Sequence, residues 1–121
     1  MTEQSTIDFL NSKAGTKLSL ASNKYSSYDA SDDNCIVEIK DRDDYYRDKL
    51  IEAMKLYKNY QASQLSNKQF LYVVTDEKGV WVFNISRNIK AVVVMPVKGI
   101  ECPKTTDFKS NDKITKYSYV L

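Results

Sequence analysis

The chain has 121 residues and a mass of 13.9 kDa, with 42% hydrophobic and 28% charged residues, which fits one globular domain over 1–121 rather than a disordered or fibrous chain. At this length roughly two thirds of the unfolded surface is buried on folding, so no disulfide or metal staple is required. The absence of histidine removes His-based general bases, Ser-His-Asp and Cys-His hydrolases and zinc-finger spacings, and a bland net charge of +2 hides an uneven distribution.

Thr2 to about Ala14 reads as a short helix, with Ile7, Leu10 and Ala14 at helical spacing, Thr2 as cap and Gly15 as stop. Lys17 to Ala21 alternates weakly, and the Ser/Tyr-rich stretch Lys24 to Ala30 is a second strand candidate. Ser31 to Asn34 is a turn cluster. Cys35 to Lys40 alternates cleanly, Cys35, Val37 and Ile39 on one face and Ile36, Glu38 and Lys40 on the other. A long helix is expected from about Asp44 to about Gln61, its apolar stripe built from Tyr46, Leu50, Ala53, Met54, Tyr57 and Tyr60. Phe70 to Thr75 is a near-continuous apolar strand, Asp76 to Gly79 a hairpin turn, and Val80 to Ile85 its partner. Ile89 to Met95 reads as a further strand ended by Pro96, Glu101 to Lys113 as loop, and Ile114 to Val120 as a last strand. Strand–helix–strand order allows a parallel crossover while the hairpins are antiparallel, so the expected class is α/β with a mixed sheet and flanking helices.

Charge is concentrated. Residues 29–48 hold eight acids and three bases, whereas residues 49–121 hold twelve bases and six acids. An acidic centre in a basic chain suits a metal site with a polyanionic substrate; a solvated acidic loop and a lysine-rich surface are the plainer reading. No run approaches the roughly 20 apolar residues of a membrane span, and the first residues lack the regions of a signal peptide. Two cysteines, Cys35 and Cys102, give no disulfide framework. A cytoplasmic protein without membrane contact is therefore expected, in the host cell's cytoplasm if the gene is viral.

With the turn centred on Asp32-Asp33, Ala30 faces Cys35 and Asp29 faces Ile36, which puts Asp29 diagonal to Glu38 on one strand face. Lys40 stands one step further along. Two carboxylates and a lysine are a rational kit for phosphodiester hydrolysis: the carboxylates hold Mg²⁺ or Mn²⁺, and the lysine orients water or stabilises transition-state charge. Asp32 and Asp33 are rival first acids, and Asp29 is preferred because the turn consumes the other two.

Asp29 followed by Glu38-Ile39-Lys40, with Cys35-Ile36-Val37 leading in, resembles the PD-(D/E)XK nuclease superfamily. The run Ile36-Val37-Glu38-Ile39-Lys40-Asp41-Arg42 is similar to the second motif of its small phage and Holliday-junction-resolvase-like members. Tyr28 stands where that family often has proline. The resemblance covers about Thr2 to Ile85. It implies a restriction-endonuclease-like core of helix, three strands, helix and strand, with the C-terminal strands as accessories. It also implies Asp29, Glu38 and Lys40 as catalytic residues. The metal ligands would be Asp29, Glu38 and the backbone carbonyl of Ile39, with Glu3 the only glutamate placed to join from the first helix.

Asp76-Glu77-Lys78 and Asp107-Phe108-Lys109 share the short pattern but lack a strand to aim their side chains. Glu52 and Lys55 on the second helix can look into the site, with a place on the helix surface as the favoured reading, and Tyr45 can stack on a base. Trp81 is read as core or interface. Lys98, Lys104, Lys109, Lys113 and Lys116 form a basic tail that can track phosphates, with solubility as the plain alternative. The leading expectation is a metal-dependent DNA endonuclease acting on branched or flapped DNA, working as a homodimer. Its Lys, Asn, Ile and Tyr usage suits an AT-rich phage genome. The alternatives are a non-catalytic nucleic-acid- or protein-binding module that keeps the fold, and a partner-binding protein with Trp81 and the tail as its interface.

Overall fold

The structure is a computed structural model that describes residues 2–23, 25–93, 97–103 and 113–121; the side chains of residues 97, 98, 100–103 and 113–117 fall outside the description. Helix α1 spans Glu3–Lys13. Thr2 caps it by accepting the Ser5 N–H at 3.1 Å, and Ser5 returns the bond to the Thr2 N–H at 2.8 Å. Gly15, just past the Ala14 cap, takes φ +69°, a conformation that favours glycine.

The main sheet has five strands in the order β1 (Ser19–Leu20), β2 (Ala30–Ser31), β3 (Cys35–Asp41), β5 (Gln69–Asp76) and β6 (Gly79–Asn84). Strand β4 (Leu50–Glu52) lies elsewhere, in a second sheet of order β4, β8 (Lys113–Val120), β7 (Val97–Pro103). Strands β3 and β5 run parallel, joined through β4 and α2 (Ala53–Leu65), and the other pairs of the main sheet are antiparallel. The fold is thus α/β with a mixed sheet and flanking helices.

Strand β3 is buried on both faces along most of its length, which is why its neighbour β5 reads as an almost continuous apolar run. Cys35, Val37 and Ile39 pack with Ile7 and Leu10 of α1. Ile36 faces the other way, into a core with Leu56 of α2, Phe70, Tyr72 and Ile51. Burying each such large side chain contributes about 1.5–3 kcal/mol.

Five expectations need correction. The expected helix from Asp44 starts only at Ala53, because Leu50–Glu52 pair with Val120, Tyr119 and Ser118 and the Leu121 N–H donates to the Lys49 carbonyl at 2.8 Å. Its buried face is Leu56, Asn59 and Ser63, whereas Tyr46, Met54 and Tyr57 of the expected stripe are largely exposed. The run from Ile89 is a short helix α3 (Ile89–Val92), since the Asn84 side chain and carbonyl bind Arg87 and Asn88 and turn the chain before it can extend. The strand expected over Lys24 to Ala30 is confined to Ala30–Ser31, and Glu101 to Pro103 of the expected loop belong to β7. No helix among the described residues is long and apolar enough to cross a membrane.

Candidate functional site

The hairpin that delivers Asp29 is set two residues away from the expected register. Ala30 pairs with Val37 and Ser31 with Ile36, not Ala30 with Cys35. The cause is Asp32, whose Oδ1 accepts the N–H groups of Asn34 and Cys35, both at 2.8 Å, leaving Asp33 and Asn34 at the tip. Burial works against the Asp32 charge, but these bonds and one from the Lys17 N–H hold its carboxyl below the usual range. Asp32 is therefore spent on the turn.

The shifted register brings Asp29 alongside Glu38. The Asp29 N–H donates to the Val37 carbonyl at 2.9 Å, and its Oδ2 accepts the Ile39 N–H at 2.7 Å, so Asp29 grips the residues on both sides of Glu38. The Glu38 side chain is 4% exposed. Its Oε1 meets Lys55 Nζ at 3.4 Å, and its Oε2 is buried without a hydrogen-bond partner. Burial, then the Asp29 charge, pushes the Glu38 carboxyl up to about 7, with Lys55 and Lys40 pulling the other way.

Glu38 and Lys40 look into a cleft of about 500 Å³ between the main sheet and β4. Arg42, two residues beyond Lys40, lines it as well, as do Lys55, Tyr72 and Lys49. Tyr72 stands opposite Glu38 across the parallel pair and donates from its hydroxyl to the Leu50 carbonyl at 2.7 Å, which holds β4 against the cleft. Lys49 closes the far end. It is buried, 2.9 Å from Asp76, bonded to the Tyr46 carbonyl and seated against the rings of Tyr45 and Trp81 at 4.2 and 4.3 Å. Tyr45 and Trp81 are thus partners of a lysine anchor, and Tyr46 is cleft lining rather than core.

Glu3 lies exposed in the first turn of α1; burial, then the Asp29 charge, raises its carboxyl. Among the described residues no group of three histidine, cysteine, aspartate or glutamate side chains is close enough to hold a metal ion together. Asp29 and Glu38 nevertheless fit a hydrated divalent cation. Glu38 Oε2 is an orphaned anionic oxygen beside a second carboxylate, and Mg²⁺ typically takes only one or two carboxylates and keeps several waters. Lys104 and Lys109 lie outside the described residues; Lys98 is on β7 and Lys113 and Lys116 on β8, with their side chains outside the description. Cys35 is free and buried, its thiol pushed up to about 12 by burial and by Asp32, which makes it inert.

Arg42 is the residue that sequence reasoning left aside, and Lys55 is one that it raised for the site but favoured as helix surface. Arg42 has a readable signal, the continued alternation Glu38, Lys40, Arg42 along one strand face. Lys55 has none, because its partner is on another element. No protein-family model matches this chain, and no curated protein or solved structure matches it.

Proposed function

We propose that this chain is a metal-dependent DNA endonuclease of the PD-(D/E)XK type, built on a restriction-endonuclease-like core and acting on branched or flapped DNA as a homodimer. The observation that carries the reading is Glu38, a buried carboxylate with one unpartnered oxygen, held beside Asp29 at the wall of a cleft that also receives Lys40. Asp29, Glu38 and the Ile39 carbonyl would hold Mg²⁺ or Mn²⁺, which when bound supplies an acidified water and positive charge against the phosphate. Lys40 orients the attacking water and stabilises charge on the reacting phosphate. Arg42 lies further along the same face, suited to a neighbouring phosphate. The basic tail, Lys104, Lys109, Lys113 and Lys116, would track the backbone beyond the cleft.

Incubation with Mg²⁺ or Mn²⁺ on linear, nicked, single-stranded and four-way-junction DNA tests the reading. Cleavage that needs the cation supports it. Binding with a steep salt dependence and no cleavage on any substrate assigns the chain to a non-catalytic binding module instead. At the residue level, Asp29→Asn is expected to weaken Mn²⁺ binding by roughly tenfold or more in titration calorimetry, since one of two anionic ligands loses its charge. Asp32→Asn is expected to leave Mn²⁺ affinity unchanged, because that carboxylate serves the turn. A loss in Asp32→Asn with none in Asp29→Asn would move the ligand role to Asp32.

A further inference from the structure

Lys55 is placed where a helix has least use for it. It is the third residue of α2, in the first turn, where the partial positive charge of the helix end disfavours a cation. The turn has no acidic residue, and Glu52 at the cap position makes no side-chain capping bond. The side chain instead reaches the Glu38 carboxylate, 3.4 Å away, while remaining 40% exposed. Glu38 is almost fully buried and its other oxygen has no partner. One carboxylate thus has a partly exposed ammonium at one oxygen and a buried, unpartnered second oxygen.

We propose that Lys55 is a placeholder cation: it neutralises the Glu38 carboxylate from Oε1 until a divalent ion binds that carboxylate, and the displaced ammonium then joins Lys40 and Arg42 in the cleft to bind a DNA phosphate. The inference rests on the metal-site reading given above. Its physical basis is competition. A divalent ion and an ammonium cannot share one small carboxylate without repelling each other, whereas the exposed lysine stem lets the head group swing toward the cleft that it already lines. Paired with Glu38, Lys55 has no charge to spare for DNA; released, it has a full one. Loading of the cation and capture of the phosphate are thereby coupled through a single side chain.

Mn²⁺ titration of the metal-free protein without DNA, at matched pH for every variant, separates the outcomes. Lys55→Met is expected to bind Mn²⁺ roughly tenfold more tightly than wild type, because the competitor is gone, and Lys55→Arg is expected to behave as wild type. DNA affinity is then read by fluorescence anisotropy in a Lys40→Ala background, where cleavage is slow. With EDTA, Lys55→Met should make no difference. With Mn²⁺, the parent should gain affinity over its EDTA value and Lys55→Met should gain roughly tenfold less. Wild type that binds Mn²⁺ with an affinity Lys55→Met leaves unchanged or weakens overturns the placeholder role and spares the metal site. Wild type that binds no Mn²⁺ overturns the metal-site reading itself, and the placeholder with it. Equal loss of DNA affinity with EDTA and with Mn²⁺ makes Lys55 a plain phosphate contact and also overturns the proposal.

Discussion

Lys40→Ala is expected to lower single-turnover cleavage of a junction or flap substrate by roughly a hundredfold or more, on the order of 3 kcal/mol of transition-state stabilisation. The expectation follows from where Lys40 sits. It is two residues beyond Glu38 on the same face of β3, opposite Val74, at the wall of the cleft. From there its ammonium can reach a water or phosphate held at Glu38. The substitution should barely affect folding, because the ion pair of the buried Glu38 is made with Lys55 and survives it. Replacing a half-buried lysine on a strand face should cost within about 0.5 kcal/mol. Mn²⁺ affinity should not fall, since a protonated lysine is no ligand and removing its charge does not repel a cation. A loss of rate with stability and metal affinity retained is the signature of a group acting on the reacting atoms. Equal single-turnover rates in wild type and Lys40→Ala would remove Lys40 from the chemistry.

The same strand shows what a sequence can carry. Cys35 to Lys40 was readable because every residue suits its face: three small or branched apolar groups toward α1, and Ile36, Glu38 and Lys40 toward the cleft side. The pair β3 and β5 was readable for a related reason, since a parallel neighbour buried on both faces must be apolar throughout. The start of α2 was not readable. Acids at 43, 44 and 48 imitate a helix N-terminus, but the backbone of Leu50–Glu52 is claimed by β8, whose partner residues are nearly seventy positions away in the chain. Nor does the buried face of α2 show as an apolar stripe, because two of its three buried residues, Asn59 and Ser63, are polar.

At the site, residue types were legible and distances were not. Turn chemistry favours Asp29 over Asp32, yet it does not give the register, because the Asp32 side chain, not the backbone alone, decides where the turn closes. In the observed register Asp29 grips Val37 and Ile39 and presses its charge on Glu38 directly. From the sequence, Lys55 can either look into the site or sit on the helix surface, the second being favoured. Its pairing with Glu38 depends on how α2 lies over β3, which no local spacing encodes.

Glu38→Gln is expected to make the metal-free protein more stable at pH 8.5 by about 3 kcal/mol, with the difference vanishing near pH 4. The Glu38 carboxyl stands at about 7 in the fold against an ordinary 4.5, and that gap is worth about 3 kcal/mol at 1.36 kcal/mol per pH unit. The sign is that of a raised pKa. Between 4.5 and 7 the folded state holds a proton that the unfolded chain has released, so the stabilisation is complete below 4.5 and is lost as pH rises through 7. Asp32 and Asp76, both lowered, act in the opposite sense and only at more acid pH, where their protonation removes stability. Urea unfolding of wild type and Glu38→Gln from pH 4 to pH 8.5 should give curves that part above pH 5, wild type declining and the variant staying flat. Mn²⁺ should restore wild type at pH 8.5 by binding the ionised carboxylate and should do little for Glu38→Gln. Parallel curves would mean that Glu38 titrates as an ordinary solvated glutamate. In that case its buried oxygen would not be the strained group on which a cation site depends.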